Sequence, residues 1–309
     1  MPNSNKGSDN SNAYSKTALQ FCRFSFHAMG SPCDIRFYAA DVVEAASTFK
    51  HVVQDIVELE NKYSRYKSES LLSKVNVAAN QGASIDVDDE FLALLSYANA
   101  CFEQSDGLFD VTSGVLRELW DFSTDAAIEI PSSEQIESVL ERIGWRHVVI
   151  KDHTVSFAKK GMAIDFGGIV KEYAADCSAK KLVDQGVQFG LVNLGGDIKA
   201  VGPHPDGCPW NVKIRDPKVA GKHVAEIPLY HEGLATSGDY ERCVEIEGQR
   251  YSHLLSPKTG WPVAGLSSVS VKAPQCVVAG SAATIAMLKG NQGKAWLESL
   301  GVEYHLISG

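Results

Sequence analysis

The feature that most constrains the fold is an alternation of apolar and polar residues near the start of the chain. Residues 20–40 read QFCRFSFHAMGSPCDIRFYAA, which is two alternating runs joined through Met29-Gly30-Ser31-Pro32. A period of two with a short polar link predicts a pair of strands. Over residues 42–63 apolar side chains recur at spacings of three and four, which predicts a long amphipathic helix. The fold therefore combines strands and helices from its beginning.

The same two periods continue along the chain. Further helices are predicted over 88–104, from the capping box of Ser132 and Gln135 to about Ile143, over 170–186, and over about 276–300. Strands are predicted within 147–168, 189–202, 210–217, 234–263 and 267–273. Without an internal repeat or an interdomain linker, this order predicts an α+β fold, a single large domain of mixed or antiparallel sheets with packed helices over residues 19–309. The polar, Ser/Asn-rich residues 1–18 are predicted to be disordered.

Charge and composition exclude several classes of protein. The 309 residues include 29 basic and 38 acidic ones, a net charge of −9, which argues against nonspecific binding to nucleic acid or anionic membranes. An anionic ligand would need local geometry, backbone N–H groups or a metal. No signal peptide, lipid-anchor pattern or membrane span is visible. The seven dispersed cysteines suit reduced thiols, so the predicted location is cytoplasmic.

The segment Leu234–Val263 is unusually rich in polar side chains at loop ends. It reads LATSGDYERCVEIEGQRYSHLLSPKTGWPV and includes hydroxyls, His253 and Lys258 around two short alternating runs. Such a set of donors and acceptors suits a polyanionic ligand held by directed hydrogen bonds. A surface hairpin with polar ends is the alternative, and this segment alone does not separate the two.

Two glycine pairs add to the polar segment. Asp165-Phe166-Gly167-Gly168-Ile169-Val170-Lys171 leads into a predicted helix, where glycines permit close backbone approach and free N–H groups favour phosphate. Asn193-Leu194-Gly195-Gly196-Asp197 is a second turn of this kind. Neither matches the GxGxxG dinucleotide fingerprint; the first, taken alone, is better explained as a tight strand-to-helix turn that needs glycine for steric reasons, and the second alone is weak evidence.

A fourth segment, GLFDVTSG at 107–114, pairs Phe109 with Asp110 directly after a predicted helix. An aromatic ring beside a carboxylate can stack on a heterocycle and hydrogen-bond to it. A core role for Phe109 remains the alternative.

Taken together, the motifs resemble the FAD:protein FMN transferase (ApbE-type) family. The resemblance rests on MGS at 29–31, YSRYKSESLLSKVN at 63–76, GLFDVTSG at 107–114, DFGGIVK at 165–171, NLGGD at 193–197, SGDYER at 237–242 and SHLLSPKTGWP at 252–262. They follow the family's order across nearly the whole predicted domain.

The resemblance implies an enzyme that binds FAD and, with Mg²⁺, splits its diphosphate. The FMN half passes to a Thr or Ser hydroxyl in an acceptor protein and AMP is released. By motif, the FAD site would be lined by Met29, Tyr66, Leu108, Phe109, Asp110, Asp165, Lys171 and Leu255. Catalytic roles near the diphosphate would fall to His253 and Lys171, and Mg²⁺ would bind the Gly168 carbonyl and the Thr284 hydroxyl.

The chain departs from the family pattern at two carboxylates. Gly280 stands where the pattern A-D-A-L-A-T has the principal metal-binding Asp, and Ser256 stands where SHxxDPxTG has an acid. Mg²⁺ is usually held through one or two carboxylates, so these changes put metal binding in doubt rather than flavin binding. The acids that could compensate are Asp197, Asp239 and Asp216.

Three activities follow from this pattern. The chain is an active transferase with an atypical metal site, a flavin-binding protein that retains FAD or FMN without turnover, or a hydrolase that converts FAD into FMN and AMP. If the site is otherwise intact, Gly280→Asp is expected to strengthen Mg²⁺ binding.

Overall fold

The computed structural model describes residues 18–120, 122, 130–219, 221–239, 243–246 and 249–309. The predicted disordered tail, apart from its last residue, lies outside the described residues. So do residues 240–242, which are part of SGDYER, and residues 247 and 248.

Strands and helices alternate irregularly along the described chain. The strands are β1 Gln20–Ala28, β2 Ser31–Ala39, β3 Ile85–Asp86, β4 Val148–Lys151, β5 Thr154–Phe157, β6 Gly190–Leu194, β7 Asp197–Gly202, β8 Trp210–Arg215, β9 His223–Leu229, β10 Gly233–Gly238, β11 Cys243–Ile246, β12 Gln249–Ser252, β13 Leu266–Ala273 and β14 Glu303–Ser308. The α-helices are α1 Val42–Tyr63, α2 Leu71–Gln81, α3 Asp89–Gln104, α4 Ser133–Leu140, α5 Val170–Asp184, α6 Cys276–Lys289 and α7 Gly293–Leu300. Short 3-10 helices span Val111–Glu118, Trp145–His147 and Gly290–Gln292.

A seven-stranded antiparallel sheet forms the centre of the molecule, in the order β1-β2-β6-β7-β10-β13-β14. Successive side chains of a strand point to opposite faces of the sheet. Both faces of this sheet are covered by other elements. In β6, Val192 packs in the core that holds α5 and α6, whereas Leu191 packs against the β8–β9 hairpin. The α+β fold class is confirmed.

Helices α5 and α6 carry small side chains that allow close packing on the sheet. Most of α6, including Ala279, Gly280 and Ala283, is buried. The Asp176 carboxylate of α5 accepts hydrogen bonds from the backbone N–H groups of Cys276 and Val277, at 2.9 and 3.0 Å. This cap satisfies two of the unpaired N–H groups at the start of α6 and fixes the two helices relative to each other.

Several predicted elements are confirmed, among them the β1–β2 pair, α1, α3 and α5. Met29 and Gly30 form the β1–β2 turn with φ values of 51° and 68°, in the left-handed region that two-residue hairpin turns require. The Ser132/Gln135 capping box is present, although α4 ends at Leu140, three residues short of the predicted end.

Other predictions are wrong or incomplete. The helix predicted over 276–300 is interrupted at Gly290, where a φ of 54° ends α6, and α7 follows. The segment 234–263 is not one hairpin, since β10 joins the main sheet and only β11 and β12 pair with each other. Neither α2 nor β14 was predicted. Within the described ranges, no helix is long and apolar enough to cross a membrane.

Candidate functional site

Two adjoining hollows open at one end of the main sheet. The outer cleft, of about 1320 Å³, is lined by the β1–β2 turn, the residues after α1, the β6–β7 turn and β8. The inner pocket, of about 200 Å³, lies between the 107–114 segment, the start of α5, the end of β10 and α6. The two share Arg117, Asp165, Gly167, Lys171, Thr236 and His253. Together they exceed the roughly 300–1,000 Å³ of an ordinary small-molecule site, which suits an extended ligand.

The outer cleft is rich in basic side chains although the chain is acidic, and several of these side chains pair with carboxylates. Against Glu60 and Asp165, its lining includes seven basic side chains, Arg36, Arg65, Lys67, Arg117, Lys171, Lys213 and Arg215. These side chains come from distant parts of the sequence, so no run of Lys and Arg residues predicts the cleft. Opposite charge concentrated in a cleft raises the local concentration of an anion. The cleft is therefore suited to an anionic ligand.

Asp165 occupies the shared boundary and is held by two arginines. Its Oδ2 lies 3.0 Å from Arg65 Nη1 and 3.3 Å from Arg117 Nε, and its Oδ1 accepts a hydrogen bond from the Gly167 N–H. Burial alone would raise the pKa of Asp165, but the charges of Arg117 and Arg65 outweigh it and lower the pKa below its usual value. Asp165 is thus an ionised carboxylate that fixes the turn before α5.

Asp110 and Phe109 form one wall of the inner pocket. Asp110 Oδ1 accepts hydrogen bonds from the Thr112 N–H and hydroxyl, and Oδ2 accepts one from the Trp145 N–H. These bonds hold the loop that presents Phe109, whose ring edge lies 3.4 Å from where a Cβ on Gly168 would stand. A Cβ at position 168 would thus make ordinary van der Waals contact with the Phe109 ring.

Lys171 lies in the first turn of α5 and belongs to both hollows. Its Nζ forms an ion pair with Oδ2 of Asp197 at 2.8 Å, and Asp197 is almost fully buried at the start of β7. The β6–β7 turn that presents Asp197 passes close to Ser31, because the Cβ of any other residue at Gly195 would lie 2.6 Å from the Ser31 Cβ. Glycine is thus required for this approach, and Gly195 also has a φ of 63°.

Glu172 follows Lys171 and is buried in the wall of the inner pocket, with 7% of its surface exposed. Its Oε2 has no hydrogen-bond partner among the described residues. Burial, and then the neighbouring Asp197 carboxylate, raise the pKa of Glu172 to about 8. The sequence analysis did not select this residue.

Gly280 of α6 directly faces Glu172. A Cβ built on Gly280 would lie 2.6 Å from both Cγ and Oε1 of Glu172. The expectation that Gly280→Asp simply strengthens metal binding therefore needs revision, because Glu172 already fills the space that the new side chain would enter.

Thr284 lies one helical turn beyond Gly280 and also lines the inner pocket. Its hydroxyl is 2.8 Å from the Ser237 hydroxyl at the end of β10, which orients it. Gly168 lies in the same lining, so the two predicted metal ligands are brought together.

The remaining predicted residues divide between the two hollows. Met29 and Tyr66 line the outer cleft, where Tyr66 is 68% exposed and the Arg65 guanidinium lies over its ring at 5.3 Å. Leu108 and Leu255 line the inner pocket, and His253 borders both hollows.

The two departures from the family pattern have different structural contexts. Ser256 Oγ accepts hydrogen bonds from the backbone N–H groups of Lys258 and Thr259, both at 3.3 Å, and Ser256 is not among the residues lining either hollow. A hydroxyl can perform this turn-capping role as a carboxylate does. Gly280 lines neither hollow itself, but it packs against Glu172, which does line the inner pocket.

The oxygen donors of the inner pocket suit a hard cation. Glu172, Asp197, Thr284, Ser237 and the Gly168 backbone offer carboxylate, hydroxyl and carbonyl oxygens, the ligand types that Mg²⁺ prefers. Across the described ranges, no group of three or more His, Cys, Asp or Glu side chains is arranged to hold a metal. Mg²⁺ usually completes its shell with water and substrate phosphates, so two carboxylates are sufficient. Of the three proposed compensating acids, Asp197 lines the pocket, and Asp216 and Asp239 line neither hollow.

Sequence reasoning missed three residues of the site: Arg65, Arg117 and Glu172. Arg65 lies inside a recognised motif, and only the fold brings it to Asp165. The signal for Glu172 is periodicity. Positions 172, 175, 179 and 182 form the buried stripe of α5, which makes Glu172 a charge on an otherwise apolar face.

Comparisons with known proteins identify the family of this chain. The ApbE family model matches residues 29–306. An FAD:protein FMN transferase of Vibrio cholerae is 30% identical over 268 residues, covering 85% of this chain and 80% of the relative. One of Treponema pallidum is 31% identical over 280 residues, covering 85% and 77%.

Solved structures give the same result for the fold. The ApbE protein of Thermotoga maritima superposes with a TM-score of 0.84 at 30% identity, covering 94% of each chain. A structure described as flavin transferase ApbE from Vibrio cholerae also has a TM-score of 0.84, at 28% identity and 94% coverage of each chain.

Proposed function

This chain belongs to the ApbE family, and we propose that it is an FAD:protein FMN transferase. It binds FAD, transfers the FMN half to a Thr or Ser hydroxyl of an acceptor protein, and releases AMP. The observation that carries this proposal is the basic outer cleft joined to an oxygen-lined inner pocket across Lys171, His253 and Asp165. Relatives with this activity cover most of the chain.

The reaction breaks one phosphoanhydride bond, within the FAD diphosphate, and forms one phosphoester bond to the acceptor hydroxyl. The acceptor hydroxyl oxygen attacks the phosphorus of the FMN half, and the bond from that phosphorus to the bridging oxygen breaks. AMP leaves with the bonding electrons, and the hydroxyl proton passes to a base or to water. Because little covalent chemistry falls to the protein, positioning and charge neutralisation account for most of the catalysis.

Lys171 and His253 are proposed to act on the diphosphate. Lys171 lies in the first turn of α5, where the N–H groups and helix dipole also favour phosphate. Its ammonium supplies a positive charge at the junction of the two hollows. His253 faces the same junction and offers a ring nitrogen to a phosphate oxygen or to the hydroxyl proton.

The flavin nucleotide is proposed to contact the aromatic and apolar residues of both hollows, Met29, Tyr66, Leu108, Phe109 and Leu255. Asp110 and Asp165 hold the loops on which this surface depends. Asp110 does so through its bonds to Thr112 and Trp145, and Asp165 through Arg65 and Arg117.

Mg²⁺, when bound, would neutralise charge that develops on the leaving phosphate. The Gly168 carbonyl and the Thr284 hydroxyl are the proposed neutral ligands in the inner pocket. Two neutral donors hold Mg²⁺ poorly, so the site also needs a carboxylate.

The test is to titrate FAD into the purified protein by flavin fluorescence and then to measure AMP release with Mg²⁺, with and without a Thr-containing acceptor peptide. AMP together with an FMN-labelled peptide supports the transferase. AMP with free FMN alone indicates a hydrolase, and FAD binding without AMP indicates a flavin-binding protein. No FAD binding contradicts the proposal.

A further inference from the structure

We propose that Glu172 supplies the metal-binding carboxylate that the family pattern places on α6 at position 280. The carboxylate has moved from one helix to the facing helix, and the site still presents an acid to a divalent cation. This inference rests on the proposed function and concerns the same inner pocket.

The packing of α5 against α6 leaves room for the Glu172 side chain because position 280 is a glycine. The Gly280 Cα and the Glu172 side chain occupy adjoining space, so that a Cβ at position 280 would lie 2.6 Å from Glu172 Cγ and Oε1. Non-bonded carbon atoms pack at about 3.5–4.0 Å. A side chain at 280 and Glu172 in its present position therefore exclude each other. The glycine is what admits a glutamate from α5.

Glu172 lies where the metal is expected to bind. Glu172 lines the inner pocket together with Gly168 and Thr284, the two residues to which the family resemblance assigns the metal. Asp197 lines the same pocket and is paired with Lys171. A cation in this pocket would thus meet carboxylate, hydroxyl and carbonyl oxygens from three elements: α5 with the turn before it, α6, and the start of β7.

The buried Glu172 carboxylate has an oxygen without a hydrogen-bond partner among the described residues. Glu172 is more than nine-tenths buried, and its Oε2 has no hydrogen-bond partner in the described part of the chain. A buried polar atom without a partner costs about 1–3 kcal/mol, and more when it is charged. A cation at Oε2 would remove this cost. The other three positions of this buried stripe, 175, 179 and 182, are occupied by alanine or leucine.

The direct test is Glu172→Gln, which keeps the shape and removes the charge. Mn²⁺ serves as the probe, and its binding is measured by electron paramagnetic resonance on the whole protein, both alone and saturated with FAD. The Mn²⁺ dissociation constant is expected to rise about tenfold or more, since even residues that only orient metal ligands change affinity by about 10–100-fold. FAD affinity without metal is expected to stay within about twofold.

A matched control comes from the same helix. Asp184→Asn removes an exposed carboxylate at the end of α5, where it pairs with Lys180 at 2.6 Å. This variant is expected to bind Mn²⁺ as the wild type does, because the carboxylate lies outside both hollows.

A reciprocal pair of variants tests the relocation itself. Glu172→Ala alone should lose Mn²⁺ affinity, and Glu172→Ala combined with Gly280→Asp should recover it to within about fivefold of the wild type, because the acid then stands on α6. Gly280→Asp alone should lower the melting temperature, since its Cβ meets Glu172.

Each outcome separates this inference from the proposed function. Wild-type Mn²⁺ affinity in Glu172→Gln, or no Mn²⁺ binding by the wild type, overturns the role of Glu172, even if FAD is bound and cleaved. Loss of Mn²⁺ binding in Glu172→Gln supports it, and the titration without FAD decides this even if FAD does not bind. Failure of FAD binding itself contradicts the proposed function alone.

Discussion

Two carboxylates on either side of the turn before α5 have opposite environments. Asp165 pairs with Arg65 and Arg117 and accepts a hydrogen bond from the Gly167 N–H. Glu172, by contrast, lies beside Asp197, has an oxygen without a partner in the described residues, and has a pKa raised by burial and by that neighbour to about 8. Both carboxylate oxygens of Asp165 therefore have partners without a ligand, whereas Glu172 Oε2 has none among the described residues.

This difference separates two uses of a buried charge. An ion-paired acid stabilises the loop that carries it. Its removal destabilises the protein because the charges of its partners are then left uncompensated. An unpaired acid costs stability until a cation arrives, so its presence points to binding. The predictions below test whether the two acids differ in this way.

The largest effect is expected for Asp165→Asn. The variant leaves Arg65 and Arg117 without their carboxylate, and breaking a largely buried pair should lower the free energy of unfolding by about 2–3 kcal/mol. Because the pKa of Asp165 is lowered in the folded protein, its contribution is present above the unfolded value near 3.9 and is lost as pH falls through the folded pKa. Urea unfolding of the wild type and of Asp165→Asn should give a difference in the free energy of unfolding at pH 7, and this difference should become smaller below about pH 4.

The control for this prediction is Asp184→Asn, whose exposed pair with Lys180 should contribute about 0.5 kcal/mol or less. Equal unfolding curves for the wild type and Asp165→Asn at pH 7 would mean that the two arginines do not depend on this carboxylate.

The next effect is that of Lys171→Ala on FAD affinity. A charge-assisted hydrogen bond contributes about 1.5–3 kcal/mol, so the FAD dissociation constant should rise about 10–100-fold. Fluorescence titration measures it, and Lys180→Ala, on the exposed side of the same helix, is the control. Unchanged FAD affinity in Lys171→Ala would remove Lys171 from the diphosphate site.

His253→Ala is expected to have a smaller effect, about tenfold on FAD affinity or turnover, without unfolding the protein. The side chain borders both hollows and is only partly buried, so its removal leaves the core intact. Circular dichroism should give a wild-type melting curve. Full activity in this variant would exclude His253 from the reaction.

The last prediction concerns the stability of Glu172→Gln in metal-free buffer at pH 8, where only a small change is expected. Replacing one of two neighbouring buried carboxylates with an amide should leave the free energy of unfolding unchanged or raise it by about 1 kcal/mol. Urea unfolding with a chelator measures this. A loss of 2 kcal/mol or more would instead make Glu172 a structural residue like Asp165.

The sequence predicted the fold class, and the residues that it selected for the site lie along the two hollows. Strong local patterns, such as the alternation around Met29 and the glycines before Lys171, reveal both elements and motifs. Short or terminal elements such as α2 and β14 lack a long periodic pattern. The break at Gly290 was missed because the apolar pattern resumes beyond it.

The environment of the two carboxylates could not be predicted in this way. Arg65 and Arg117 reach Asp165 from other parts of the chain, and Glu172 meets Gly280 only after α5 and α6 pack together. Gly280 could be read from the sequence as a loss. That Gly280 leaves space for the Glu172 carboxylate becomes visible only when α5 and α6 are packed together.

The central claim is that this site transfers FMN to a hydroxyl. The most direct measurement is mass spectrometry of a Thr-containing acceptor peptide after incubation with the wild-type protein, FAD and Mg²⁺, with AMP quantified in the same sample. The account predicts an FMN adduct on the peptide hydroxyl and an equal amount of AMP, both abolished when Thr is replaced by Ala. An unmodified peptide and no AMP, with FAD bound to the protein, would contradict it.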